Sequence, residues 1–264
     1  MAAQKKISGT KEWAKHVANC VKGCKHGCRY CYARHQMVER FKRIKPEDWP
    51  NPVADIKKAN SKQSKRDGTI MFPTTSDIVP EVLEPCKAFL LNLLEAGNDV
   101  LIVSKPHLAC ITAICNACVK YKKQILFRFT IGAMDDQILS YWEPNAPKFE
   151  ERLLALREAF DAGYSTSVSC EPMLDSQNII TLFYKLLPFV TDSIWIGKLN
   201  KIDSRVEVKT DEDKKEVARI KNGQTDDKIT AIYNALKDEP KVKWKESVKE
   251  VVGLNLAQEA GLDE

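Results

Sequence analysis

The 264-residue sequence predicts an α/β fold: a partial (β/α)6 barrel of the TIM type over residues 1–202, with a charged helical C-terminal extension packed on it over 203–264. Three observations point there. Short apolar runs that read as strands alternate with longer amphipathic runs that read as helices, which argues a parallel sheet with right-handed crossovers. Six strands can be counted rather than the eight of a closed barrel, so the barrel is open. From about residue 203 onward the texture turns to charged helical periodicity.

Taken in order, residues 13–19 supply a first strand that feeds a cysteine-rich loop, and 32–42, free of Gly and Pro, read as a helix. Residues 45–68 collect Pro46, Pro50, Pro52, several lysines and Gly68. Long connections of this kind within a compact domain are commonly functional or mobile, and this one is expected over the mouth of a site. Strands follow at 69–72, 100–103, 124–130, 164–170 and 193–196. Helices alternate with them at 81–96, 107–120, 151–162 and 179–188. Gly97 and Gly163 stand where a helix C′ glycine belongs. In the extension, 211–221 and 225–238 read as helices, and 241–256 follow Pro240 with Trp244, Val248, Val251 and Val252 as anchors.

Composition excludes several classes. Hydrophobic content of 44% and charged content of 29% are ordinary for a soluble globular chain. No apolar run approaches the roughly 18–20 residues that span a bilayer, and the first ten residues lack the apolar core of a signal peptide. Nine cysteines, an odd number with no disulfide-framework spacing, point to a reducing compartment, the cytoplasm. The net charge of +5 is unevenly spread: residues 1–70 hold 17 Lys and Arg against 6 Asp and Glu, a local +11 that leaves −6 on the rest. Such a basic third can steer a polyanion such as DNA or RNA, or can be a solvated lysine-rich face.

The chemistry concentrates in Asn19-Cys-Val-Lys-Gly-Cys-Lys-His-Gly-Cys-Arg-Tyr-Cys-Tyr-Ala-Arg34. Cys24, Cys28 and Cys31 stand at C-x3-C-x2-C spacing with Tyr30 before the last. Three thiolates within eight residues converge as soft ligands do around iron or zinc. A [4Fe–4S] cluster normally takes four thiolates, so three leave one iron open. The alternative is a zinc site, for which two paired-ligand arms are usual; His26 is a cramped fourth ligand between the first two cysteines. A second run, Cys110, Cys115 and Cys118, echoes a ferredoxin spacing. On a continuous helix, however, its sulfurs spread over about 140° of the surface, which suits core or surface thiols better than one metal. Cys20 and Cys86 have no partner legible in the sequence.

The C-x3-C-x2-C motif resembles that of the radical S-adenosylmethionine (radical SAM) enzymes. Further segments resemble the spore photoproduct lyase and DNA-repair-photolyase-like branch: residues 23–33, Thr75-Ser-Asp-Ile-Val79, Ser104-Lys-Pro106, Glu143-Pro-Asn-Ala-Pro147 with Arg152-Leu153, Glu171-Pro172 and Ile194-Trp-Ile-Gly-Lys198. They run in the family's order over roughly 15–200. The resemblance implies one [4Fe–4S] cluster on Cys24, Cys28 and Cys31. It also implies S-adenosylmethionine (AdoMet) held by Ser76, Thr130 and Lys105, and Tyr30 and Tyr32 near it as hydrogen relays. Implied too are reductive cleavage to a 5′-deoxyadenosyl radical, an electron donor of flavodoxin or ferredoxin type, and hydrogen abstraction from a nucleic acid or nucleotide. A peptide or small-molecule substrate, and a zinc-dependent nucleic-acid-binding module without chemistry, are the competing readings. One departure stands out: the lyase has a cysteine that returns hydrogen to the product where this chain has Thr74. Cys170, beside Glu171, is a substitute donor if it faces the barrel mouth, and a small core residue otherwise.

Overall fold

In the computed structural model of the chain, which describes residues 7–261, seven strands form one sheet in sequence order. They are β1 (His16–Val17), β2 (Ile70–Phe72), β3 (Val100–Ser104), β4 (Ile125–Thr130), β5 (Ser165–Cys170), β6 (Ile194–Ile196) and β7 (Val242–Trp244). Every adjacent pair is parallel. Each strand lying beside its sequence neighbour is the order of a barrel wall, not of a doubly wound sheet. The first six residues of the segment read for a signal peptide lie outside the described residues.

Parallel strands buried on both faces read as continuous apolar runs. Ile70-Met-Phe72 and Val100-Leu-Ile102 accordingly are buried throughout. Helices α1 (Leu83–Glu95), α2 (Leu108–Ala117), α3 (Phe149–Asp161) and α4 (Ile179–Leu186) connect the strands. Phe89 of α1 packs against Phe72 of β2 with ring centroids 5.4 Å apart; each such buried side chain contributes about 1.5–3 kcal/mol over its exposed state. Gly97 and Gly163 sit at positive φ just past α1 and α3, ending both helices as expected.

The strands and helices through residue 196 fall within a few residues of the predicted ranges. Three elements differ. Residues 242–244, expected within a helical extension, form β7, paired with β6 through Ile194 opposite Val242. The run is three residues long with a lysine at its centre, too short for strand alternation to register. Asp136–Trp142 is an unpredicted helix, capped where Asp135 accepts from the Gln137 N–H at 2.7 Å. Finally, Val21–Lys22 and Val53–Ala54 pair as an antiparallel ribbon, so part of the 45–68 connection is bound to the cysteine loop. The predicted helix at 32–42 is α over Tyr32–Arg34 and π over His35–Arg40. The C-terminal helices are Asp211–Gly223, with a Thr210/Asp213 capping box, then Asp226–Leu236 and Glu246–Val252.

Candidate active site at the strand ends

Whatever follows each strand's C-terminal end faces one cavity of about 690 Å3. Its wall takes Thr74–Asp77 after β2, Lys105 after β3, Thr130 at the end of β4, Glu171 after β5, Lys198–Lys201 after β6 and Glu246 after β7. The cysteine loop closes the other side with Cys24, Cys28, Cys31, Tyr30 and Tyr32. Gly23, at φ +82°, makes the turn into this loop possible: a Cβ there would lie 2.7 Å from the Trp49 carbonyl oxygen. That carbonyl accepts from the Cys24 N–H at 2.9 Å, and Trp49 itself is buried against Cys24 and lines the cavity. The long connection therefore does reach the site. Cys31 caps the next helix, its sulfur accepting from the Arg34 N–H at 3.3 Å.

Asp77 organises the cysteine side. Its carboxylate accepts from the Ser104 hydroxyl at 3.0 Å and the Lys105 N–H at 2.8 Å, contacts His26 Nδ1 at 2.9 Å, and lies 3.6 Å from the Lys105 ammonium. Burial alone would push this carboxyl up, but Lys105 and His26 outweigh it and hold it well below the usual range. Burial likewise opposes the Lys105 charge, and Asp77, Cys28, Tyr30 and Glu143 together keep it raised. The Tyr30 hydroxyl donates to Glu143, whose other oxygen lies 2.5 Å from Arg152; both members of that ion pair are fully buried. The Tyr32 hydroxyl donates to the Thr74 carbonyl. Ser76 donates to Asn19 Oδ1 at 3.0 Å.

Eight of the nine residues singled out from the sequence thus line one cavity. Cys170 does not. It points into the main core, with no exposed surface, and burial pushes its thiol up to about 12. Its strand alternates, and the register that turns Glu171 to the cavity leaves Cys170 inside. Thr74 lines the cavity, its hydroxyl 3.4 Å from the Ala18 carbonyl. Cys110, Cys115 and Cys118 are core thiols. Cys20 and Cys86 are core thiols as well, and the Cys20 thiol donates to the Pro85 carbonyl at 3.9 Å.

The cysteine side fits an iron–sulfur cluster. Burial pushes the Cys24 thiol up to about 12 and the Cys28 thiol well above its ordinary value, and the Cys31 charge adds to both. Thiols in such a place keep their protons unless a metal displaces them, and an all-thiolate donor set suits iron and sulfide. Ligand atoms of Cys24, His26 and Asp77 do lie within 4.8 Å of one another. Both ring nitrogens of His26 are engaged, however: Nδ1 with Asp77 and Nε2 with His107 Nε2 at 2.9 Å.

Several residues of consequence escaped the sequence reading. Glu12 and Lys245 meet behind the far wall, beside Glu246 of the lining, although they lie 233 positions apart in the chain. Lys245 is fully buried, 2.7 Å from Glu12 and 3.4 Å from Glu171, and its ammonium lies 4.1 Å from the Trp13 ring centroid. Only the formation of β7 brings them together, and no local signal announces it.

No protein-family model matches the chain. Among curated proteins it is 26% identical over 179 residues to the uncharacterized protein ORF301 of Acidianus two-tailed virus; the match covers 63% of this chain and 58% of that protein, less than two thirds of its length. Among solved structures, a spore photoproduct lyase variant superposes with a TM-score of 0.57 at 15% identity, covering 92% of this chain and 79% of that one. A second variant, with bound AdoMet and dinucleoside spore photoproduct, gives 0.53 at 16% over 83% and 64%. SuiB of Streptococcus suis bound to S-adenosylmethionine gives 0.55 at 11% over 92% and 53%. The chain therefore has the partial-barrel fold of spore photoproduct lyase and SuiB, with its three clustered cysteines at the C-terminal face of the strands.

Proposed function

We propose that this chain is a radical SAM enzyme of the photoproduct-lyase-like branch, with one [4Fe–4S] cluster and AdoMet as cofactors. The observation that carries the reading is that Cys24, Cys28 and Cys31 share one cavity with Ser76, Lys105 and Thr130, each at a separate strand end. Held by the three thiolates, the cluster and AdoMet would supply a 5′-deoxyadenosyl radical for hydrogen abstraction. Lys105 presents a fixed positive charge suited to the AdoMet carboxylate. Ser76 and Thr130 present hydroxyls from β2 and β4, on either side of the strand that carries Lys105. Glu143 and Arg152 pin Tyr30, and the Thr74 carbonyl pins Tyr32, so both rings are held against the cavity as candidate hydrogen relays.

A nucleic acid or nucleotide is the proposed substrate class. Support comes from the resemblance and from Lys198, Lys201 and Arg205, which line the wall after β6. With Thr74 in place of the lyase cysteine and Cys170 in the core, photoproduct repair by that same hydrogen return is disfavoured, and a related lyase or modification reaction is the reading. An electron donor of flavodoxin or ferredoxin type is proposed.

The test is anaerobic reconstitution with iron and sulfide, then reduction in the presence of AdoMet. Brown protein that releases 5′-deoxyadenosine, with the Cys28→Ala variant silent, is the expected result. Colourless protein that retains zinc and never cleaves AdoMet overturns it in favour of a zinc-dependent nucleic-acid-binding module.

A further inference from the structure

The basic excess of residues 1–70 is not spent on the cavity. Among the described residues, none of its Lys and Arg lines the wall, whose cations are Lys105, Lys198, Lys201 and Arg205. Several are taken up in ion pairs: Lys15 with Asp67, Lys25 with Glu81, Arg29 with Asp213 and Arg34 with Glu39. A different group stands at the far end of the helix that begins at Tyr32. There Arg40, Lys42, Arg43 and Lys45 are all exposed, and none has a carboxylate partner among the described residues.

Phe41 sits in their midst, 47% exposed. The guanidinium carbons of Arg40 and Arg43 lie 5.3 and 5.2 Å from its ring centroid, within cation–π range. Lys42 takes a left-handed φ of 51°, and the Arg43 and Ile44 N–H groups both donate back to the Met37 carbonyl, at 2.8 and 3.3 Å. The tip is thus a closed turn that holds its ring and its cations outward. Gln36 on the same helix lines the cavity, and Phe41 stands at that helix's C-terminal end.

We propose that this tip, residues 40–45, is a docking element for single-stranded or locally unpaired nucleic acid. An unpaired base stacks on Phe41 beside the two guanidiniums, while Lys42 and Lys45 meet phosphates. Aromatic rings set among unpaired cations are how sequence-tolerant single-strand sites are built. An acidic protein would need the charge but not the exposed ring. The tip stands one helix away from the cysteines, so it grips the strand outside the cavity. The proposal rests on the nucleic-acid reading above.

The experiment uses the reconstituted full chain and a fluorescein-labelled oligothymidylate, with affinity read by anisotropy across salt concentrations. Phe41→Ala is expected to weaken binding about tenfold. Lys42→Gln with Lys45→Gln is expected to weaken it and lower the slope of log affinity against log salt by about 1.4. AdoMet affinity should be unchanged in both. Wild-type binding that both variants reproduce in affinity and slope overturns the docking element while leaving the substrate class standing. Wild-type protein that binds no oligonucleotide overturns both. Variants that bind the oligonucleotide normally but are reduced more slowly by flavodoxin assign the tip to the electron donor, and the proposal fails.

Discussion

The two walls of the cavity bury carboxylates to similar depth and treat them differently. On the cysteine side Asp77 and Glu143 each face a cation of their own, Lys105 and Arg152, and burial is outweighed: both carboxyls are held below the usual range. On the far wall the Lys245 ammonium lies against both Glu12, at 2.7 Å, and Glu171, at 3.4 Å, and the Glu246 charge adds to both carboxyls. There burial wins, with Glu171 raised and Glu12, hydrogen-bonded to Glu246, pushed up to about 9. How closely a cation is matched to each carboxylate decides the outcome. One wall keeps fixed charges where the cofactors are proposed to bind, and the other stores a proton at neutral pH.

This contrast can be broken most directly by removing the cations. Arg152→Met strands the Glu143 carboxylate with no water to take its place, and should cost about 3–5 kcal/mol in urea unfolding. Lys245→Met should cost less at pH 6, because Glu12 already holds its proton there and burial favours a proton on Glu171 as well. Equal losses at pH 6 would dissolve the distinction between the walls.

A smaller effect concerns pH. Glu12 holds its proton in the folded chain up to about pH 9, against an ordinary value of 4.5, so across that window the folded state binds the extra proton. Its contribution is present in full below 4.5 and is lost as pH rises through about 9. Asp77 and Glu143, with depressed values, contribute in the opposite sense and lose their stabilisation only in acid. Unfolding of the wild type at pH 6 and pH 8.5 should therefore show a decline that Glu12→Gln flattens. Parallel declines in both proteins would contradict the stored proton. Smallest of all, Tyr32→Phe removes one neutral hydrogen bond to the Thr74 carbonyl and should lower stability by about 1 kcal/mol; a loss beyond 3 kcal/mol would mean that the hydroxyl does more than pin the ring.

The same division runs through what could be read from the sequence. The cysteine side was legible because its chemistry is local, three cysteines within eight residues, while Ser76, Lys105 and Thr130 were reached through the family resemblance of the strand-end segments. The far wall was not. Glu12 and Lys245 become neighbours only through the three-residue strand at 242–244, whose pairing depends on the edge left open by β6. Cys170 marks the boundary between the two kinds of inference. Its place at a strand end was legible, but which way it faces depends on register, and register turned it inward. Asp77 lay within a recognised segment, yet its role as the hub joining His26, Ser104 and Lys105 needed the three loops in contact.

The most direct test of the account is the electron paramagnetic resonance spectrum of the reconstituted, reduced protein with and without AdoMet. A reduced-cluster signal whose g values change when AdoMet is added is the predicted result, since a cluster held by Cys24, Cys28 and Cys31 would share its cavity with Lys105. A signal indifferent to AdoMet, or no cluster signal from protein whose three cysteines are intact, would contradict it.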